Sequence, residues 1–213
     1  MLQFHLSETF AKDMSMHLME GVEPIVDQHL RAMQWYAHRV TVKRRKCVIV
    51  MELQSRYALV FCGLTQRDFE QFPETFRTRL ICEVASICQL GAEAQKELTP
   101  LVVAQAEQQV FQTGSDSNIQ IHIENVAWSL KEWADEHGQL PTGDGECFDF
   151  DVFINQQLRT RREDEPPFEP MERFRRFWST MSGLMKLGEG RRRLATERSV
   201  PNNVLPFNAA SKD

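Results

Sequence analysis

The sequence predicts an α+β fold, in which a small antiparallel β-sheet is packed by helices and followed by a C-terminal helical arm. Two observations lead to this prediction. Residues 35–63 contain three short runs of β-branched, aromatic and other apolar residues separated by polar breaks, as in a β-meander. The runs that follow have apolar residues at helical spacing, which is the usual signal of helices packed on one face of a sheet.

The centre of the meander is its most apolar part. Cys47–Met51 and Tyr57–Cys62 are unbroken apolar runs, so both faces of each strand must be covered by other parts of the chain. We therefore expect Cys47–Met51 to be a central strand with Val48, Ile49 and Val50 buried. The cluster 43–46 lies at or near the first turn, and residues 54–55 lie in the second.

Other strands and helices are predicted on either side of the meander. Leu2–Leu6 alternates like a strand, a helix is expected over Glu8–Met19, and Val110–Thr113 has an extended pattern. Thr65 suits the cap of a turn that contains Asp68, a helix with apolar residues on one face follows from Pro73, and another begins near Ser117. Their inward residues are Phe76, Leu80, Val84 and Ile87 in the first, and Ile119, Ile123, Val126, Leu130 and Trp133 in the second.

The clearest break in the chain is Pro141–Gly145, which is rich in turn residues. We place the end of an α+β core domain, residues 1–140, at this break. A helical extension follows over residues 141–190, and residues 191–213 form a basic and polar tail. Within the extension, Cys147–Leu158 is compatible with either a strand or a helix, and Met171–Leu187 has a helical pattern.

Composition limits the class of protein. No run approaches the ~18 apolar residues that a membrane span needs, and the N-terminus lacks the pattern of a secretory signal. The five cysteines are odd in number and irregularly spaced, which favours reduced thiols in a cytoplasmic protein over a disulfide framework.

No motif in the chain requires a particular chemistry. Phosphate-binding and dinucleotide-binding glycine motifs and a nucleophile elbow are absent, so we expect no cofactor, no metal and no catalytic residue, and an enzyme is the least favoured class. Asp149 and Asp151 would share one face of a strand and could hold a divalent cation, but a solvated strand edge or helix N-terminus is the favoured interpretation. Cys47 follows three cations that could activate it, yet its apolar strand favours a buried, inert thiol.

The C-terminal arm has the most distinctive surface. Residues 171–198 contain eight basic and three acidic residues, a net charge of +5, whereas the rest of the chain has a net charge of −10. One face of the predicted helix carries Phe174, Trp178, Met181 and Met185. This face suits docking onto the core of the chain itself, contact with a protein partner or a second copy, or contact with an anionic membrane surface. The favoured function is therefore a non-catalytic cytoplasmic interaction protein that binds a protein partner through this arm, in a bacterial defence or toxin–antitoxin-type system.

The alternative function is nucleic-acid binding or a role as a nuclease accessory. It depends on two clusters of cations, which would contact phosphates. The residues are Arg39, Lys43, Arg44, Arg45, Lys46, Arg191, Arg192 and Arg193. The acidic balance of the rest of the chain favours the simpler explanation that the first cluster is a solvated turn.

One set of residues follows a recognisable pattern: Trp35, Arg44–Val50, Leu59–Leu64, Asp68–Phe69 and a later threonine, here Thr113, followed by a polar loop that opens a helix. In this pattern residues 1–135 resemble an uncharacterised bacterial domain family of unknown function. That loop contains an arginine in the family, and this chain has Asp116–Ser117 instead. The resemblance implies a fold and a bacterial context but no activity.

Overall fold

A computed structural model describes residues 1–14, 33–88, 92–161 and 164–181. The strands of this part of the chain are β1 (Leu2–Leu6), β2 (Met33–Val42), β3 (Arg45–Glu52), β4 (Ala58–Phe61) and β5 (Gln109–Thr113). The helices are α1 (Glu8–Met14), α2 (Gln66–Glu70), α3 (Phe72–Ile87), α4 (Ala92–Glu107), α5 (Ser117–Glu136) and α6 (Gly143–Asn155), with a further helix, α7, described over residues 170–181. The part of the first predicted helix beyond Met14 lies outside the described residues.

The fold is α+β, but its sheet is mixed rather than purely antiparallel. The strand order is β4-β3-β2-β1-β5, and the predicted meander of β2, β3 and β4 is antiparallel. β1 pairs in parallel with both β2 and β5, which corrects the prediction of an antiparallel sheet. Parallel pairing needs long connections, and the chain between these strands is long enough to cross over the sheet.

The central strand was predicted correctly. Val48, Ile49 and Val50 in β3 are each 0% exposed. The turn before β3 contains only Lys43 and Arg44, whose φ angles of 48° and 62° are those of a tight hairpin turn. Arg45 and Lys46 already belong to β3.

One face of the sheet is covered by α1, α2, α3, α4 and α7. Its centre is aromatic: the ring of Phe4 meets Phe76 edge-on at 4.8 Å, and Tyr57 stacks on Phe174 at 4.2 Å. The inward residues predicted for α3 are all buried. At the start of α2, the side chain of Asp68 accepts hydrogen bonds from the backbone and the hydroxyl of Thr65, which confirms the predicted cap.

The other face is covered by α5 and α6. The predicted inward residues of α5 are buried apart from Trp133, which is half-buried. Residues 147–155 are helical, and α6 packs Phe150 and Ile154 into the same core as α5, although it lies beyond the predicted boundary at residue 140.

α6 also completes the edge of the sheet at β4. The side-chain amide of Asn155 accepts from the backbone N–H of Ala58 at 2.8 Å and donates to its carbonyl at 2.7 Å. Asp151 accepts from Val60 at 3.0 Å and pairs with Arg79 of α3 at 2.9 Å. None of the helices in the described ranges is long and apolar enough to cross a bilayer.

Candidate functional site

Helix α5 carries apolar side chains on its outer surface as well as on its inner one. Ile121 is 56% exposed and Trp128 is 62% exposed. They are seven residues apart, so both lie on the same side of the helix, away from the sheet. Leu158, which follows α6, is 67% exposed.

These three side chains surround one groove of about 470 Å³ between α5 and the segment after α6. We call it the α5 groove. Its lining includes Ile121, His122, Trp128, Leu158, Arg159 and Thr160. An apolar rim around a polar floor is typical of a surface that contacts another molecule.

Arg159 provides the charge of this groove and is only 8% exposed. Its guanidinium donates to the carbonyls of Arg56 at 2.7 Å and Ile154 at 3.3 Å. No carboxylate in the described part of the chain forms an ion pair with it. Burial, and then the nearby charge of Arg56, lowers the pKa of Arg159 to about 10, so the side chain stays charged at neutral pH.

His122 lies in the same groove and is 9% exposed. Burial, followed by the charges of Arg159 and Arg56, lowers the pKa of His122 to about 4. The imidazole is therefore neutral at pH 7. The α5 groove thus combines one buried cation with a neutral hydrogen-bonding ring.

A second polar region lies on the same face of the sheet, over β1, β2 and β5. In the register of the strands His5 is opposite both Tyr36 and Gln112. The His5 ring stacks on Tyr36 at 4.5 Å, and its Nδ1 is 3.0 Å from the amide nitrogen of Gln112. Neighbouring Gln3 is 1% exposed, and neither of its amide atoms has a hydrogen-bond partner among the described residues. We call this region the polar sheet face.

The loop after β5 closes one end of the polar sheet face. A Cβ on Gly114 would lie 2.9 Å from Nδ1 of His5, so the close approach requires glycine. Asp116 caps α5 by accepting from the backbone of Asn118 and Ile119. Burial lowers the pKa of His5, and the charge of Asp116 partly opposes that shift. This is the polar loop that the family resemblance singled out.

The cations predicted for nucleic-acid binding are partly neutralised by acidic neighbours. Arg39 lies 3.3 Å and Lys46 3.0 Å from carboxylate oxygens of Asp13, and Lys43 pairs with Asp135. Arg44 and Arg45 are exposed at the hairpin. Arg191, Arg192 and Arg193 lie outside the described residues, so the structure brings together only the first of the two predicted clusters.

The residues predicted to bind a partner on the arm are largely in the core. Phe174 and Trp178 are each 0% exposed, Met181 is half-buried, and Met185 lies outside the described residues. Neither Phe174 nor Trp178 has exposed surface to offer a partner in this arrangement. Partner binding by the arm stays a prediction.

The acidic pair of α6 does not form a cation site. Residues 147–151 are helical rather than extended, so Asp149 is exposed while Asp151 is buried against Arg79. Within the described ranges, no group of three or more His, Cys, Asp or Glu side chains is placed to hold a metal ion.

The α5 groove was not predicted from the sequence, although part of its signal was present. Ile121 and Trp128 break the amphipathic pattern of α5, since they form a second apolar pair at a spacing of seven residues on its polar side. His122 and Arg159 had no comparable signal, because their contact depends on how the end of α6 packs beside α5.

Comparison with known proteins identifies a family. A family model described as a domain of unknown function, DUF6933, matches residues 3–172. The chain belongs to this family, as the motifs around the central strand indicated. No curated protein matches the chain significantly.

Proposed function

We propose that this protein is a non-catalytic interaction protein that binds a protein partner, and that the α5 groove is its binding surface. The proposal keeps the class of function that the sequence favours and moves the surface from the arm to the groove. The supporting observation is that three of the four large hydrophobic side chains exposed in the described residues, namely Ile121, Trp128 and Leu158, surround a single groove. Exposed aromatic and aliphatic side chains around a groove are typical anchors of protein interfaces.

The charge of the groove defines the partner segment. Arg159 is a buried cation that none of the described carboxylates pairs with, and its guanidinium keeps hydrogen-bonding capacity beyond two backbone carbonyls. A carboxylate would complete this site, because an ion pair in a desolvated groove compensates a buried charge. We propose a segment in which an aspartate or glutamate lies between apolar side chains, with the apolar residues against Trp128 and Leu158.

Nucleic-acid binding is less well supported by the same residues. A phosphate could approach Arg159, but the chain carries a formal net charge of −5 and the hairpin cations Arg39, Lys43 and Lys46 have acidic partners. The net negative charge of the protein would repel a polyanion such as a nucleic acid, whereas the positive charge of Arg159 alone can attract a single carboxylate.

A library of short random peptides, selected against the immobilised full-length protein, tests the proposal. We expect the enriched peptides to share an acidic residue flanked by apolar residues. The Trp128→Ala variant should weaken their binding by about 2 kcal/mol, or roughly 30-fold in Kd, if the indole is an anchor. Arg159→Gln should weaken the acidic peptides more than versions in which the acid is replaced by its amide.

Phe153→Ala is the matched control. Phe153 is 42% exposed on α6 but does not line the α5 groove, so this variant should bind the peptides like the wild type. Equal losses in Trp128→Ala and Phe153→Ala, or enriched peptides without a shared acid, would contradict the proposal. Tighter, steeply salt-dependent binding of a short DNA duplex that is lost when Arg44 and Arg45 are replaced would favour the nucleic-acid alternative.

A further inference from the structure

Three of the five cysteines come together from distant parts of the chain. Cys47 lies in β3, Cys62 directly follows β4, and Cys147 lies in α6. The register of β3 and β4 pairs Val48 with Phe61, so Cys47 lies opposite Cys62. Asn155 of α6 binds Ala58 and Asp151 binds Val60, so Cys147, one helical turn before Asp151, lies at the level of Cys62. Burial of isolated cysteines in a core is ordinary, but thiols held at one level of a helix–strand contact can react with one another.

Two of these thiols can be reached from outside. A groove of about 1090 Å³ is lined by Cys62 and Cys147, together with Arg79, Phe61 and Phe148. Cys62 is half-buried and Cys147 is 8% exposed, whereas Cys47 is 0% exposed and does not line the groove. We call this surface, which is separate from the α5 groove, the thiol groove.

The surroundings of Cys147 favour its thiolate. Contact with the thiol of Cys62 and, against the effect of burial, the guanidinium of Arg79 lower the pKa of Cys147 to about 7, while Asp144 opposes them. Contact with Cys147 and Cys47, together with burial, raises the pKa of Cys62, which therefore keeps its proton.

Two buried carboxyl groups hold Arg79 in place, while Glu70, Glu74 and Asp144 also line the thiol groove. Glu83 accepts from its Nε at 2.8 Å and Asp151 from its Nη2 at 2.9 Å, so the guanidinium is fixed beside Cys147 by two buried carboxyl groups. A fixed cation next to an accessible thiol is the environment in which cysteines are reactive.

We propose that Cys147 and Cys62 form a redox-active thiol pair that a small hydroperoxide oxidises to a disulfide, with Cys147 as the attacking sulfur. In the first step the Cys147 thiolate attacks the terminal O–H oxygen of the hydroperoxide, the O–O bond breaks and Cys147 becomes a sulfenic acid. The hydroxide or alkoxide that leaves takes up the proton that Cys147 released to the solvent when it ionised. In the second step the Cys62 thiol attacks the Cys147 sulfur, the S–S bond forms, and the hydroxyl group leaves as water with the proton of Cys62. Two thiols lose two electrons in total, and one hydroperoxide gains them.

The test uses the fully reduced wild-type chain and a limiting amount of hydrogen peroxide. Free thiols are then alkylated under denaturing, non-reducing conditions, and the peptides are mapped by mass. We expect a peptide pair linked through Cys62 and Cys147, lighter by two hydrogens than the reduced pair, with Cys47, Cys82 and Cys88 alkylated. Cys82 also lines the thiol groove and is exposed in the native protein, so it is the internal reference for access of peroxide to this groove. Oxidation of Cys82 before Cys147, or a link between Cys47 and Cys62, would overturn the proposal.

Variants separate the two roles. In Cys62→Ser the sulfenic acid on Cys147 has no resolving thiol, so it should accumulate and be trapped by dimedone. Cys82→Ser should form the Cys62–Cys147 link at the rate of the wild type. If Cys62→Ser gives no dimedone adduct on Cys147, the assignment of the attacking sulfur is wrong.

The pH profile provides a readout that a purely structural cysteine would not give. The rate of oxidation should rise with a midpoint near pH 7, where Cys147 is half ionised. A cysteine in an ordinary environment has a pKa of about 8.5 and would give a midpoint near that value. A midpoint there would refute the activation of Cys147 by Arg79 and Cys62.

Discussion

The side chain of Asn155 makes the hydrogen bonds that a neighbouring strand would make at the edge of the sheet, and its removal should lower the stability of the fold. β4 is the last strand on its side, and Ala58 turns both its N–H and its carbonyl away from β3 towards α6. Asn155 is 0% exposed and binds both groups at 2.8 and 2.7 Å. Asn155→Ala leaves two buried backbone groups without partners, at about 1–3 kcal/mol each, so we expect a total loss of roughly 2–6 kcal/mol in the free energy of unfolding.

Urea denaturation followed by circular dichroism measures this loss, and hydrogen exchange at the Ala58 amide locates it. The control is Asn125→Ala on the exposed side of α5, where alanine is the better helix former and the change should stay within about 0.5 kcal/mol of zero. If Asn155→Ala costs less than about 1 kcal/mol while Ala58 keeps its protection, the side-chain amide is not what satisfies the sheet edge.

Three further predictions follow from burial and from the polar side chains. Trp178→Ala should cost about 3–5 kcal/mol in urea denaturation, because the indole is 0% exposed in the core. Burial lowers the pKa of His122 from 6.5 in the unfolded chain to about 4 in the folded protein. The unfolded chain therefore binds more protons below pH 6.5, so the free energy of unfolding falls as pH falls from 6.5 towards 4. His122→Gln should make the free energy of unfolding depend less on pH in this range. Gly114→Ala should lower the free energy of unfolding by roughly 1–3 kcal/mol, because the added Cβ would lie 2.9 Å from the His5 ring. Gly145→Ala is the control: it has open space in the first turn of α6 and should be neutral or stabilising. Thermal melting of both variants measures the difference.

Local sequence patterns were sufficient to predict the elements that are defined by their own residues. Cys47–Met51 is apolar throughout and is buried on both faces, and Thr65 with Asp68 forms the cap that this pair of residues suggests. Both features depend on neighbours in sequence or on the need to cover an apolar strand.

Pairing between distant segments could not be predicted in the same way. The sequence indicated strands at Leu2–Leu6 and Val110–Thr113, but their parallel pairing is set by long connections rather than by their own residues. α6 was ambiguous because Phe148, Phe150 and Val152 alternate with acids as a strand would. The helix is favoured since Asp151 and Asn155, four residues apart, both satisfy backbone groups of β4.

The two polar regions next to α5 are related through Arg56. This residue lies between β3 and β4, is 5% exposed and has a φ angle of 60°, which an arginine rarely adopts. Its charge acts on Tyr36 of the polar sheet face and on both His122 and Arg159 of the α5 groove. An anion bound at Arg159 would therefore also favour the charged form of Arg56, which burial disfavours. One buried cation therefore acts on both the polar sheet face and the α5 groove.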